Sequence, residues 1–399
     1  MSGGSPLRLS AAVDTLTGDI TELLSIYQSG IGTWMDVLDH SLAYQRQVVR
    51  CALSSPLLLH AICALSAKQM SLVNSQFLWN PISSHHYGES LALFIKELTL
   101  QKPDGGVMLS ATILLCSFEL LALPGMDYER HLYGARTLIN ARDIAANGSS
   151  LEHASFWVYA RHDVSLALVH ERLTLISPSK WPVVPECEVT QEDSFARRVL
   201  WLLARIVDVR FAHRDTSGSD ARISELQGLL SEIDIWWENA PAHTHGIITT
   251  DIRNHGLGQV WFCVPSAAAG CLYYHLAKIL AFEYMTEFSP QSTSNRLQHH
   301  NWITELDLHC SAILSICFSP GVADGVLVVA VNPLFYAAKH TKSLSTKSKI
   351  WALLEDIEAR LGFHTRNRVS KLQEDWPQAQ TKDSRWPKNS VHPRLIKAH

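Results

Sequence analysis

Five charged side chains, Glu119, Arg136, Arg161, Asp163 and Glu171, sit in consecutive helical stretches that are otherwise poor in charge. Groups of this kind can fix the polar end of a ligand. Asp163 lies within a turn of Ala160 and Ala167, on the apolar side of a helical pattern, so it faces inward. A buried carboxylate without partners costs several kcal/mol. Asp163 must therefore meet a cation or several donors from elsewhere in the chain. Two readings of the five residues follow. One is an internal ion-pair network that fixes helix register. The other is the polar floor of a small-molecule cavity between helices, open to an effector.

Other reactive side chains lack the spacing that chemistry needs. The histidines come in close pairs, His85-His86, His243 with His245, and His299-His300. Neighbours on a helix point about 100° apart and rarely share a ligand. Glu305 and His309 are four apart but have no third ligand, and His275 reads as a hydrogen-bonded core residue. There is no CxxC and no Cys/His set with zinc spacing. GxGxxG, a Walker lysine loop, HExxH and GxSxG are all missing. The acidic run Glu355, Asp356 and Glu358 reads as an exposed helix edge, not an aspartate-rich magnesium motif. No catalytic residue, metal or cofactor is expected, and the chain is not expected to be an enzyme.

These residues need a large helical body to position them. The chain has 399 residues, 47% of them hydrophobic and 18% charged, which excludes a disordered chain. A net charge of −4 implies no partner by itself. The 12 tryptophans read first as packing anchors. Most cysteines sit inside apolar runs, as buried thiols do, which points to a reducing compartment. The first residues lack a charged segment followed by an apolar run, so secretion is not expected. No window of about 18 uninterrupted apolar residues occurs, and no membrane span is expected.

Helical periodicity recurs along the whole chain. Ser55-Pro56 and Asn80-Pro81 mark helix starts, because serine or asparagine can cap and proline suits the first turn. A helix is expected from Trp34 to about Leu53. Residues 107–123 are apolar nearly all round, which marks a central helix. A long helix with Phe156, Ala160, Val164, Ala167 and Leu168 on its apolar face ends in a proline-rich connection over 174–190. Residues 241–255 read as loop, and 261–288 as a helix broken near Pro265. Pro333 is expected to kink or interrupt the helix over 322–339. Nothing alternates with period two for long enough to build a sheet. The expected fold is all-α, with many helices in antiparallel pairs within one large domain. Residues 1–18 read as a flexible lead-in and 19–362 as the helical domain. Residues 363–399 read as a basic tail, with eight Arg or Lys against three acids.

Several segments, in colinear order, carry a family resemblance. They are TWMDVLDHS (33–41), SPLLLHAICALSAKQMSL (55–72), CSFELLAL (116–123), RHLYGARTLINAR (130–142) and FWVYARHDVSLALVHERLTLISPSKWP (156–182). PSAAAGCLYYHLAKILAF (265–282), VVAVNPLFYAAKH (328–340) and LLEDIEARLGFHTRNRVSKLQEDW (353–376) continue the series. Together they resemble the fungal-specific transcription factor domain, the regulatory half of fungal regulators with a binuclear zinc cluster. The resemblance implies a helical, effector-sensing domain in the nucleus that self-associates and controls a metabolic or biosynthetic gene set. The family reads DNA through an N-terminal cluster of six cysteines holding two zinc ions. The first cysteine of this sequence is Cys51, inside a helix of the domain. The expectation is a regulator without its own DNA reader, reaching DNA only indirectly. Its protein partner would be a second copy or a complete zinc cluster regulator. A gene model truncated at its 5′ end gives the same pattern. The alternative is a small-molecule-binding or enzymatic descendant of the same helical fold, nuclear or cytoplasmic.

Overall fold

Helix starts written in the sequence become helices in the computed structural model, which describes residues 18–73, 78–100, 103–122, 129–141, 148–183, 191–212, 219–249, 258–288 and 296–376. The expected lead-in up to residue 17, the turns at Pro124-Gly125 and Asn147, Arg142, Cys187 and the tail beyond Trp376 lie outside the described residues. The chain runs through α1 (Gly18–Ser29), α2 (Ile31–Met35), α3 (Val49–Ala52), α4 (Pro56–Val73) and α5 (Trp79–Leu98). It continues through α6 (Gly105–Ala122), α7 (Glu129–Asn140), α8 (Ser150–His170), α9 (Glu192–Phe211) and α10 (Ser219–Asn239). After a small hairpin come α11 (Pro265–Phe288), α12 (Arg296–Cys317), α13 (Asp324–His340), α14 (Leu344–Leu361) and α15 (Arg366–Asp375). The fold is all-α, and its helices pack side by side, α4 on α5 and α6, α11 on α9, α12 and α13.

The centre is built by helices that are buried on most sides. α6, α8 and α11 bury most of their residues, including Phe156, Tyr159, Leu272 and Ile279. α4 and α6 are each long and apolar enough to cross a membrane by length and composition, and 56% and 83% of those windows are buried inside the protein. Core helices meet the same criterion, because an all-round apolar surface can be covered by protein as well as by lipid. Ser149 starts α8 through a reciprocal cap, its hydroxyl accepting from the Glu152 amide while the Glu152 carboxylate accepts from the Ser149 amide. α11 starts at Pro265, which suits a first helical position.

Four features depart from the expected layout. The helix expected from Trp34 to Leu53 is broken after Leu38. The Asp36 carboxylate accepts the amides of Tyr44 and Gln45, and the Asp39 carboxylate accepts those of Ser41 and Ala43. These side chains offer the backbone partners outside a continuous helix. The loop expected over 241–255 contains strand β1 (Ile247–Thr249), paired antiparallel with β2 (Gln259–Trp261). α13 runs through Pro333 without interruption, its neighbours on both sides being buried. Finally, the helical body extends past the boundary read at 362. Leu372 and Trp376 are buried, so α15 packs on the body through its apolar face, with Arg368 buried beside it while Arg366, Lys371 and Glu374 look outward. A period of three to four in Val369, Leu372 and Trp376 is overlaid by charged neighbours in the sequence.

Candidate ligand-binding site

α8 places Arg161, Ser165 and Leu168 on one stripe, at helical spacing. That stripe, with His162 and Val169 beside it, forms one wall of an internal chamber. α13 faces it with Val328, Val329, Val331 and Asn332. Tyr273 and Leu276 of α11 supply the floor, and Phe363, Asn367 and Arg368 close the far side. The chamber holds about 150 Å³ and is partly open to solvent. A side pouch of about 40 Å³ runs on toward Trp34, Met35 and Leu65, sharing Arg161 and His162 with it.

Most of the lining is apolar, and its charged side chains are of one sign. Two guanidiniums, Arg161 and Arg368, line the chamber, and no aspartate or glutamate does so among the described residues. Arg161 is 9% exposed, and its Nη1 donates to the carbonyl of Trp34. No ion pair forms on it among the described residues, and burial lowers its pKa. The field of Asp36 reaches Arg161, but the Asp36 oxygens already accept from Tyr44 and Gln45, and burial pushes that carboxyl up to about 6. Tyr273 is buried, and its hydroxyl has no hydrogen-bond partner. His162 has a buried Nδ1 without a partner, and burial, then the neighbouring Arg161 charge, pushes it down to about 3. It is neutral near pH 7.

Arg368 is held firmly. Its Nε donates to Asn332 Oδ1 at 3.1 Å, and the guanidinium lies 4.2 Å from the Phe335 ring centroid. Asn332 in turn donates from Nδ2 to Ser165 Oγ at 2.8 Å. A single chain of side chains therefore joins α15, α13 and α8 around the chamber.

The five residues singled out in the sequence do not form one network, and no ion pair joins any two of them. Only Arg161 lines the chamber. Asp163 points the other way and meets donors, not a cation. It accepts from the amides of Leu175 at 2.8 Å and Ile176 at 3.1 Å, and from the Tyr159 hydroxyl at 3.3 Å. Burial still pushes it up to about 6. Its role is to hold the chain that leaves α8. Glu119 accepts from the Tyr87 hydroxyl at 2.9 Å and lies 3.4 Å from His131, whose pKa burial lowers to about 4. Arg136 is half-buried on α7, and its charge reaches Tyr159. Glu171 is exposed and ends α8 in a left-handed conformation, φ 52°.

Sequence reasoning missed Asn332 and Arg368, whose contact spans α13 and α15. Asn332 had a signal, a lone amide in an apolar helix beside Pro333. The histidines pair across helices instead of along them. His275 and His309 meet Nδ1 to Nδ1 at 2.8 Å, and His60 and His86 at 2.9 Å. Among the described residues no group of His, Cys, Asp or Glu has the geometry to hold a metal ion. No disulfide joins the seven described cysteines to one another.

The Fungal specific transcription factor domain matches residues 22–390, a span that includes every wall of the chamber. The chain is also similar to a protein of Alternaria alternata called Transcription activator AMTR1, 21% identical over 488 aligned residues. The match covers 90% of this chain and 63% of that protein. No solved structure matches. On the match over 22–390, the chain belongs to the fungal specific transcription factor domain family.

Proposed function

We propose that this chain is the regulatory region of a fungal transcription regulator, acting in the nucleus on a metabolic or biosynthetic gene set. The observation that carries this reading is the family match over residues 22–390, which takes in the helical body from within α1 onward. Similarity to a protein named as a transcription activator favours activation as the output. The chamber between α8, α11, α13 and α15 gives such a body a place to receive a small-molecule effector. Occupancy would bias the packing of α13 and α15 against α8, which is how a ligand shifts a population of states. The protein partner is either a second copy or a complete zinc cluster regulator.

The test joins this chain to an unrelated DNA-binding domain and places a reporter gene under that domain's site in a filamentous fungus. Reporter output several-fold above the DNA-binding domain alone is expected. A fusion that is stable and nuclear, yet leaves the reporter at background in every growth condition, would overturn the reading. The charged side chains of the chamber are two guanidiniums, Arg161 and Arg368, a lining suited to receiving an anion.

A further inference from the structure

We propose that the chamber binds a monocarboxylic acid with an apolar body about the size of one ring, its carboxylate received by Arg161 and Tyr273. This rests on the effector reading and names the effector's class.

Charge decides the sign of the ligand. Arg161 and Arg368 line the chamber, and no carboxylate lines it among the described residues. A guanidinium buried without a carboxylate is costly, and a bound anion removes that cost. The donors left over decide where the anion sits. Arg161 uses Nη1 on the Trp34 carbonyl and forms no ion pair among the described residues. The Tyr273 hydroxyl, whose field couples to Arg161, has no acceptor. His162, which also lines the chamber, has an unpartnered Nδ1. One carboxylate offers about four lone-pair sites and can satisfy a guanidinium fork and a hydroxyl together. Arg368 is a poorer receiver, because Asn332 Oδ1 already accepts from both its Nε and its Nη2. A second carboxylate on the ligand would thus face a guanidinium already committed, so one acid group is assigned.

Volume decides the body. A chamber of about 150 Å³ matches the size of cavity that holds benzene in an engineered protein core. The walls past Arg161 are Val164, Leu168, Leu276 and Val331, which suit a ring or a branched alkyl group. A neutral hydrocarbon would fill that space but leave Arg161 and Tyr273 unpaired.

The experiment uses the purified chain, with benzoate and isovalerate as probes and benzamide and isovaleramide as their neutral matches. Binding is followed by calorimetry and by thermal shift. An acid is expected to bind about ten-fold tighter than its amide, the ratio of one charge-assisted hydrogen bond pattern over a neutral one. Arg161→Gln should abolish that preference. Tyr273→Phe removes a hydroxyl that bonds to nothing in the empty protein, so melting should stay as in the wild type while acid affinity falls several-fold. Equal binding of acid and amide, failure of both acids to saturate, or wild-type acid affinity in Tyr273→Phe would each overturn the proposal. Failure of the regulatory reading is seen separately. Acid binding with a silent reporter fusion supports the site and overturns the regulator. An active fusion without acid binding overturns the site alone.

Discussion

The carbonyl of Trp34 accepts a hydrogen bond from Arg161 Nη1, although the two residues are 127 positions apart. This bond ties the short α2 to the middle of α8 at the inner end of the chamber. It leaves Arg161 charged, buried and without a carboxylate partner. Replacing an uncompensated buried charge with an apolar chain of similar length removes a desolvation penalty and loses one hydrogen bond. Arg161→Met is therefore expected to unfold within about 1 kcal/mol of the wild type in urea. A charge retained for structure would instead show a loss of about 3 kcal/mol or more in the same titration.

Buried histidines set the acid limb of stability. Burial holds His162 and His309 down to about 3 and His131 down to about 4, against an ordinary 6.5. Each favours folding in its neutral form, so its contribution is full above pH 6.5 and is lost as pH falls toward the folded value. Asp36 and Asp163, pushed up to about 6 from 3.8, act in the opposite sense. Their contribution is full below 3.8 and is lost as pH rises through 6. One pH unit below 6.5 costs about 1.4 kcal/mol per shifted histidine, and the carboxyls return part of it. The unfolding free energy should drop by at least about 2 kcal/mol between pH 7.5 and 5.5, with His86, held down to about 4, and His275, held well below its ordinary value, adding to the drop. His162→Leu should flatten that slope by about 1 kcal/mol, because His162 is one of the shifted groups and its Nδ1 bonds to nothing. An unchanged slope in the variant would show that the acid limb belongs to other groups.

Much of the body was legible from spacing alone. The all-round apolar pattern of residues 107–123 and the cap at Ser55-Pro56 name real helices, because burial and capping are local properties of the chain, whereas Asn80 lies inside a helix that starts at Trp79 and does not cap it. Asp163 was legible as inward-facing and in need of donors, and it has three. Its partners were not, since two of them are backbone amides that any residue provides. α15 was hidden because Arg366, Arg368 and Lys371 make its stretch read as a solvated tail. Its burial depends on Asn332 and on Phe335, whose positions relative to it are set only by the folded helices. The hairpin of β1 and β2 has three residues per strand, too few to show a period.

Gly270 of α11 lies hard against Phe195 and Ala196 of α9. A Cβ there would stand 2.5 Å from Phe195 Cε1, and Phe195 is fully buried. The ring cannot swing into solvent, so Gly270→Ala must push two core helices apart. Overpacking of this kind costs about 1–3 kcal/mol. A melting temperature several degrees below the wild type is expected, and Gly228→Ala, where a Cβ meets open space, should raise it or leave it unchanged.

α15 is expected to act as part of the body and as the outer wall of the chamber. Leu372 is completely buried, Trp376 nearly so, and Arg368 bonds Asn332 while stacking on Phe335. A chain ended after Thr365 loses all three and opens the chamber to water. The cost should exceed 4 kcal/mol, since burying a leucine and a tryptophan side chain contributes about 2–3 kcal/mol each. Arg368→Ala isolates one link. It leaves Asn332 Oδ1 without its donor and removes the stack, for a loss of about 2–3 kcal/mol. Asn332→Leu tests the same link from the other side, because it also frees Ser165 and strands the Arg368 guanidinium. If the two act as one unit, the double variant should lose less than the sum of the singles by at least about 1 kcal/mol in a double-mutant cycle. Strict additivity would mean that the chain from α15 through α13 to α8 carries no coupling, and that α13 can move without the wall that faces it.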